Sequence, residues 1–440
     1  MLPGDSPMKS SFLTTKLEPT PTSTAARRDR APRRWRPLLA VGLISAGTFC
    51  AYPPAAPPKV DIPATDPRLQ YEGRWLTSGS TAAADWPCAS MLFDVHAAAG
   101  DVALVWSGVR VRLNATIYAA NGTLLAARTL VSSAILDRSQ RDLLQLPANA
   151  SHVRIRKLTE AEPYQDGFAS WALAPSKATV YGLDLVGGVT LGATPLPTRR
   201  LEVIGASDTA GYCVDGLNTT SAVGWSVGGW QYSNCDQTVS GLLGRRLDAS
   251  VSVQAQPSMG LVQNAMAKTP YVVGNTPMPV LFNRTLMSDK STAWPIGRWV
   301  PDAVLISLGG NDYNHQKGYA PSNATFTAAY GKFLDHLFEG YAANPNLVVV
   351  SFCGQGSPVE HAQDPDNDRC RPCPHVSDAS DAYAKANPTR AQRVHYVFVP
   401  CDGSVVTGDG DIGCNGHKNR LGQAKVADFL EPKLRAILGW

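Results

Sequence analysis

The sequence predicts an α/β protein in two parts, an all-β sandwich followed by a three-layer α/β/α domain. Three observations carry that prediction. Short alternating apolar stretches with no long helical pattern fill residues 65–193. A break rich in Pro and Arg follows at Pro195-Leu196-Pro197-Thr198-Arg199-Arg200. Beyond it, residues 194–440 repeat an order of apolar run, Gly-rich turn and amphipathic stretch. A chain of 440 residues has room for both parts and at least one large core.

Residues 1–37 are rich in Pro, Ser, Thr and Arg and read as a disordered basic leader. An apolar run, 38–52, follows the cluster Arg27, Arg28, Arg30, Arg33, Arg34 and Arg36. Two readings fit it: a secretory signal peptide with a long leader, or a type II signal-anchor that holds the protein as a single-pass membrane protein. In either, the positive flank keeps the N-terminal end cytoplasmic and sends the remainder to the lumen. The prolines of 53–64 make a stiff linker.

In the first part, Val102–Trp106, Val109–Leu113 and Val153–Arg156 alternate as half-buried strands do. Asn121-Gly122 between two apolar stretches predicts a hairpin turn. In the second part, the expected strands are Leu201–Ile204, Val251–Val253, Ala303–Leu308, Leu347–Phe352 and Val394–Val399. Their unbroken apolar runs suit a parallel sheet covered on both faces. Helical spacing of Tyr330, Phe333, Leu334 and Leu337 predicts a helix over Phe326–Tyr341. Val426, Phe429, Leu430 and Leu434 predict another over Gln423–Leu438, with Pro432 expected to kink or split it.

The formal net charge is +4, and much of the positive charge lies before residue 37. No basic face of the kind that binds nucleic acid remains. Nine cysteines include Cys50 in the apolar run, which leaves eight: Cys88, Cys213, Cys235, Cys353, Cys370, Cys373, Cys401 and Cys414. An even number in an exported chain points to disulfides. Cys370-Arg371-Pro372-Cys373 is also half of a zinc-ribbon spacing, but no second Cys-x-x-Cys accompanies it. Sequons at Asn114, Asn121, Asn149, Asn218, Asn283 and Asn323 agree with a lumenal or secreted location.

Candidate chemistry sits where parallel strands end. Ser207 follows Leu201-Glu202-Val203-Ile204 and the turn Gly205-Ala206, which exposes its hydroxyl at the start of a helix. The bland role for such a serine is an N-cap. His417 lies in Gly413-Cys414-Asn415-Gly416-His417 before the last helix, and an imidazole is the natural base for a serine near neutral pH. Asn311, after Ser307-Leu308-Gly309-Gly310, has a carboxamide to offer an oxyanion. Gly260 ends Pro257-Ser258-Met259-Gly260 and has a bare backbone N–H.

These four blocks, in this order, resemble the SGNH hydrolase superfamily. The likeness narrows to carbohydrate esterase family 2 through Tyr71-Glu72-Gly73-Arg74-Trp75, Arg156-Lys157-Leu158-Thr159-Glu160-Ala161, and Trp299-Val300-Pro301-Asp302-Ala303 leading into Leu308-Gly309-Gly310-Asn311-Asp312. The resemblance implies a jelly-roll domain followed by a flavodoxin-like α/β/α hydrolase domain. It implies Ser207 as nucleophile, His417 as base, and an oxyanion hole from Ser207, Gly260 and Asn311. It also implies removal of acetyl groups from a polysaccharide or oligosaccharide, with no metal or organic cofactor. Two positions depart from the superfamily. Ala206 stands where Asp is usual, and Cys414 stands three residues before the histidine, where the acidic third member is usual. Asp411 and Asp409 are the nearby candidates for that role, and a Ser-His dyad is the first expectation. Cys414 is expected to anchor the histidine loop through a disulfide to Cys213 or Cys235. Trp225 and Trp230, in the loop after the nucleophile, are candidates to line a sugar cleft, with a core role as the alternative.

Two other activities share these residues. A glycan O-acetyltransferase would resolve the same acyl-serine with a sugar hydroxyl. A carbohydrate-binding protein that has lost catalysis would explain the missing acid.

Overall fold

The computed structural model describes residues 58–440 except 97–99, 162–174, 218–228, 266–275, 314–318 and 357–368. The basic leader, the apolar run 38–52 and Trp225 lie outside the described residues. Among the described residues, no helix is long and apolar enough to cross a membrane. Ala56–Trp440 forms one compact unit.

The architecture is mixed α/β with three sheets. Two are antiparallel and six-stranded. In the first, Asp101–Ser107 lies between Ala178–Val186 and Gln140–Gln145. In the second, Ala150–Lys157 lies between Ser90–His96 and Arg112–Ala119. Met91, Phe93 and Ile155 from the second sheet share one buried core with Leu104, Trp106 and Val180 from the first. The hairpin joining Arg112–Ala119 to Leu124–Val131 turns at Asn121-Gly122, where Gly122 has φ +81° and its N–H bonds the Ala119 carbonyl at 2.9 Å. Ile62–Pro63 already pairs with Ala178–Val186, so the antiparallel structure begins inside the stretch the sequence reads as linker. Proline is tolerated there because this two-residue strand is peripheral.

The third sheet has five parallel strands in the order Ala249–Ala255, Arg199–Gly205, Ala303–Ser307, Val348–Gly354, Val394–Val399. Alternate residues of Ala303–Ser307 enter different cores. Val304 and Ile306 pack with Phe326, Tyr330, Phe333 and Leu337 of the helix Asn323–Gly340. Ala303 and Leu305 pack with Val426, Leu430 and Leu434 of the helix Arg420–Leu438. Burial on both faces is why these strands read as continuous apolar runs. The C-terminal helix is not split at Pro432. It runs to a left-handed Gly439 cap, and Asn419 caps its start with bonds from Leu421 and Gly422.

The antiparallel sheets are pinned to the parallel part by charge and covalent bonds. Arg156 meets Asp236 at 2.8 Å and Glu72 at 3.3 Å, all buried, and Arg245 adds a second cation to Asp236 at 2.6 Å. Asp85 accepts the backbone N–H groups of Met287 and Ser288 at 2.9 Å each. Cys88–Cys235 closes a span of 147 residues beside these pairs. A carboxylate or guanidinium buried here is favourable only because it is multiply paired, since desolvation of either alone costs several kcal/mol.

Candidate active site

The strand Arg199–Gly205 lies between Ala249–Ala255 and Ala303–Ser307. In register, Gly205 is opposite both Ala255 and Ser307. The chain therefore leaves three adjacent strands at one level and one end, carrying Ser207, Gly260 and Asn311 away from neighbouring exits. Gly205 makes the tight exit possible, because a Cβ there would meet Thr209 Oγ1 at 2.1 Å.

His417 comes from the far end of the chain and reaches Ser207. Its Nε2 lies 2.7 Å from Ser207 Oγ. The imidazole sits just after the 3₁₀ turn Cys414–Gly416. That turn is closed by Gly413 N–H donating to His417 O at 2.6 Å and tied covalently to the segment after Ser207 by Cys213–Cys414. Tyr212 packs edge-on against the imidazole at 4.9 Å between ring centroids. A hydroxyl hydrogen-bonded to an imidazole is the arrangement that lets the hydroxyl lose its proton as it attacks.

Asn311 and the Gly260 segment are built as one piece. Asn311 Nδ2 donates to Met259 O at 2.9 Å. The neighbouring Asp312 accepts three backbone N–H bonds, from Leu261 at 2.9 Å, Val262 at 2.6 Å and Gln263 at 3.1 Å. Burial pushes the Asp312 carboxyl up to about 6, against the N–H groups that favour its charged form. Only glycine fits at 260, where a Cβ would lie 1.9 Å from Gln263 O and 2.8 Å from Asp312 Oδ2. The Gly260 N–H is itself engaged, donating to Asn264 Oδ1 at 3.2 Å.

The acetylxylan esterase / glucomannan deacetylase of Cellvibrio japonicus is 23% identical over 296 residues, 66% of this chain and 72% of that protein. A family two carbohydrate esterase structure from the same organism superposes with a TM-score of 0.65 at 20% identity, covering 86% of this chain and 98% of that one. A family two carbohydrate esterase from Clostridium thermocellum, in complex with cellohexaose, gives a TM-score of 0.66 at 20% identity over 84% and 99% of the two chains. This chain has the fold of the family two carbohydrate esterases. No family model matches the sequence.

Within that esterase fold, several side chains lie where the sequence does not predict them. Asp411 is committed elsewhere: its carboxylate accepts from Thr407 N and Thr407 Oγ1 and pairs with Lys425 Nζ, each at 2.7 Å. Burial raises its pKa, but Lys425 and Thr407 outweigh that and hold the carboxyl below its usual range. The spacing that makes Asp411 a candidate third member does not reveal that the helix Arg420–Leu438 supplies Lys425 to it. Asp409 begins the same 3₁₀ turn, and its side chain lies outside the described residues. Trp230 is 4% exposed and packs with Tyr212, Cys213 and Cys414, so it backs the disulfide. An indole in a Gly-rich loop reads the same from sequence whether it faces solvent or a disulfide.

Disulfides join Cys353 to Cys373 and Cys370 to Cys401, so the Cys370/Cys373 spacing is not a zinc half-site. Cys414 pairs with Cys213, and Cys235 pairs with Cys88. Replacing both Cys213 and Cys414 by alanine is expected to cost about 2–5 kcal/mol of stability, read as a lower thermal midpoint. It is also expected to lower kcat on an aryl acetate at temperatures where the variant remains folded, because the bond holds the turn that presents His417. Thermal melts and steady-state kinetics on the same samples check both.

Sequence reading also passes over Asp208, Arg369 and Lys418. Asp208 follows Ser207, and its carboxylate takes the Lys418 ammonium at 2.8 Å and the Arg369 guanidinium. Burial pushes the Asp208 carboxyl up, but Arg369 and Lys418 outweigh it and keep the group ionised.

Proposed function

We propose that this protein is a serine esterase that removes O-acetyl groups from a polysaccharide or oligosaccharide through an acyl-serine intermediate. The observation that carries the reading is the 2.7 Å contact between Ser207 Oγ and His417 Nε2 at the exit of a parallel strand. Ser207 Oγ attacks the acetyl carbonyl while His417 Nε2 takes the hydroxyl proton. His417 then returns that proton to the departing sugar oxygen, leaving acetyl-Ser207. Water, deprotonated by His417, releases acetate. The backbone N–H of Ser207 and Asn311 Nδ2 hold the oxyanion, joined by the Gly260 N–H on its release from Asn264. In this reading Asp411 stays committed to Lys425 and takes no part in the proton transfer.

In the same reading, residues 65–193 form a jelly-roll domain and residues 194–440 a three-layer SGNH hydrolase domain. The two antiparallel sheets around one core and the two cores flanking the parallel sheet support that division. Four disulfides and exposed sequons at Asn121 and Asn149 support export, with residues 38–52 as a signal peptide or membrane anchor. The substrates in the name of the Cellvibrio japonicus relative, acetylated xylan and glucomannan, are the first to test. Free acetate should accumulate from acetylated xylan or glucomannan and be absent with Ser207→Ala. Acetyl groups appearing on an added sugar acceptor in place of free acetate would favour a transferase. Binding of the glycan without turnover would favour a lectin-like role.

A further inference from the structure

Ser207 and His417 are 210 positions apart, yet the residues next to each of them meet in one cluster. Asp208 adjoins the nucleophile, and Gly416 and Lys418 flank the histidine. Arg369 spans the two sides: one end of its guanidinium donates to Asp208 Oδ2, and Nη2 donates to the Gly416 carbonyl at 2.6 Å. Lys418 closes the other side, with its ammonium 2.8 Å from Asp208 Oδ2 and its backbone N–H 3.3 Å from Asp208 Oδ1. The Asp208 carbonyl is fixed in turn by Gln423 Nε2 at 3.0 Å.

Arg369 stands on a stapled segment. Cys370, its neighbour, is bonded to Cys401 just past the last parallel strand, and Cys373 is bonded to Cys353 in the strand Val348–Gly354. The guanidinium is thus held from the sheet while it reaches both catalytic segments.

In the cluster, one carboxylate is held between two cations. The use of the cluster is geometric. A planar guanidinium has donors spaced to reach a carboxylate and a carbonyl at once, which an ammonium cannot do in the same plane.

We infer that Arg369 is a positioning residue for the Ser207–His417 pair, bracing Asp208 against the Gly416 carbonyl and so setting the gap between hydroxyl and imidazole. The inference rests on the esterase reading. A brace that lets the reacting groups drift by about 1 Å is expected to cost on the order of 10²-fold in rate.

The test compares the parent, Arg369→Ala, Arg369→Lys and Ser207→Ala on an aryl acetate. Arg369→Ala keeps the Asp208–Lys418 pair and is expected to stay folded by thermal melt. Its kcat should fall about 10²-fold with KM within about twofold. Millimolar guanidinium should restore part of the loss in Arg369→Ala and none in Ser207→Ala. Arg369→Lys should recover less than guanidinium does. A kcat for Arg369→Ala within twofold of the parent overturns the inference. So does a loss confined to KM, and so does a loss matched by the unfolded fraction without guanidinium rescue. If Ser207→Ala keeps full activity, the esterase reading itself fails, whatever Arg369 does.

Discussion

Replacing His417 with alanine is expected to lower kcat by on the order of 10⁴–10⁶-fold, with KM little changed and the thermal melt preserved. Ser207→Ala should fall as far. In the proposed mechanism the two residues act as one unit, since Ser207 Oγ would be a useful nucleophile only when the imidazole 2.7 Å away accepts its proton. The double variant should therefore be no slower than either single one, and additive losses would mean that the residues serve separate steps. His417 is half-buried on an irregular turn that Cys213–Cys414 and the Gly413–His417 bond hold without it. Loss of the ring should accordingly leave the fold intact. Stopped-time assays of acetate release, run at matched folded concentration, check this.

Replacing Asn311 with alanine is expected to cost about 10²–10³-fold in kcat. The Asn311 amide carries two hydrogens. One is spent on Met259 O at 2.9 Å, which fixes the plane of the carboxamide, and in the proposed mechanism the other meets the developing oxyanion. Asn311→Asp should be worse than alanine, since a carboxylate would face the Met259 carbonyl and place negative charge beside the oxyanion. Asp312 still holds Leu261, Val262 and Gln263 in either variant, so the Gly260 segment is expected to keep its shape. A rise in KM with unchanged kcat would instead assign Asn311 to ground-state binding.

The parallel sheet was legible because its central strands are buried on both faces, and even the edge strand Val394–Val399, where Phe398 is exposed, has the bounds the sequence predicts. The helices Val239–Arg246 and Cys373–Ala386 were not legible. The first carries Gly241 and Gly244, poor helix formers that are required by contact: a Cβ on Gly244 would lie 2.2 Å from Val251 Cγ2. The second presents a narrow stripe, Val376, Ala379, Ser380 and Tyr383, that lacks the density of an ordinary amphipathic face.

In the site, Ser207, His417, Asn311 and Gly260 stood out because each follows a strand or precedes a helix in a Gly-rich context. Asp208 and Arg369 did not. They are 161 positions apart and meet through the fold and two disulfides, and no local pattern reports that. Asp411 and Trp230 show the converse. Each lies in a loop that also carries a candidate catalytic residue or follows one, and each is packed or paired with groups whose position only the fold reveals.

Mass spectrometry after treatment with a fluorophosphonate reads out directly which oxygen carries the acyl group. One adduct per chain on the peptide containing Ser207 is expected, growing in step with the loss of ester hydrolysis and strongly slowed in His417→Ala. Full hydrolysis with Ser207 blocked, or loss of hydrolysis with the adduct on another residue and Ser207 unmodified, would contradict it.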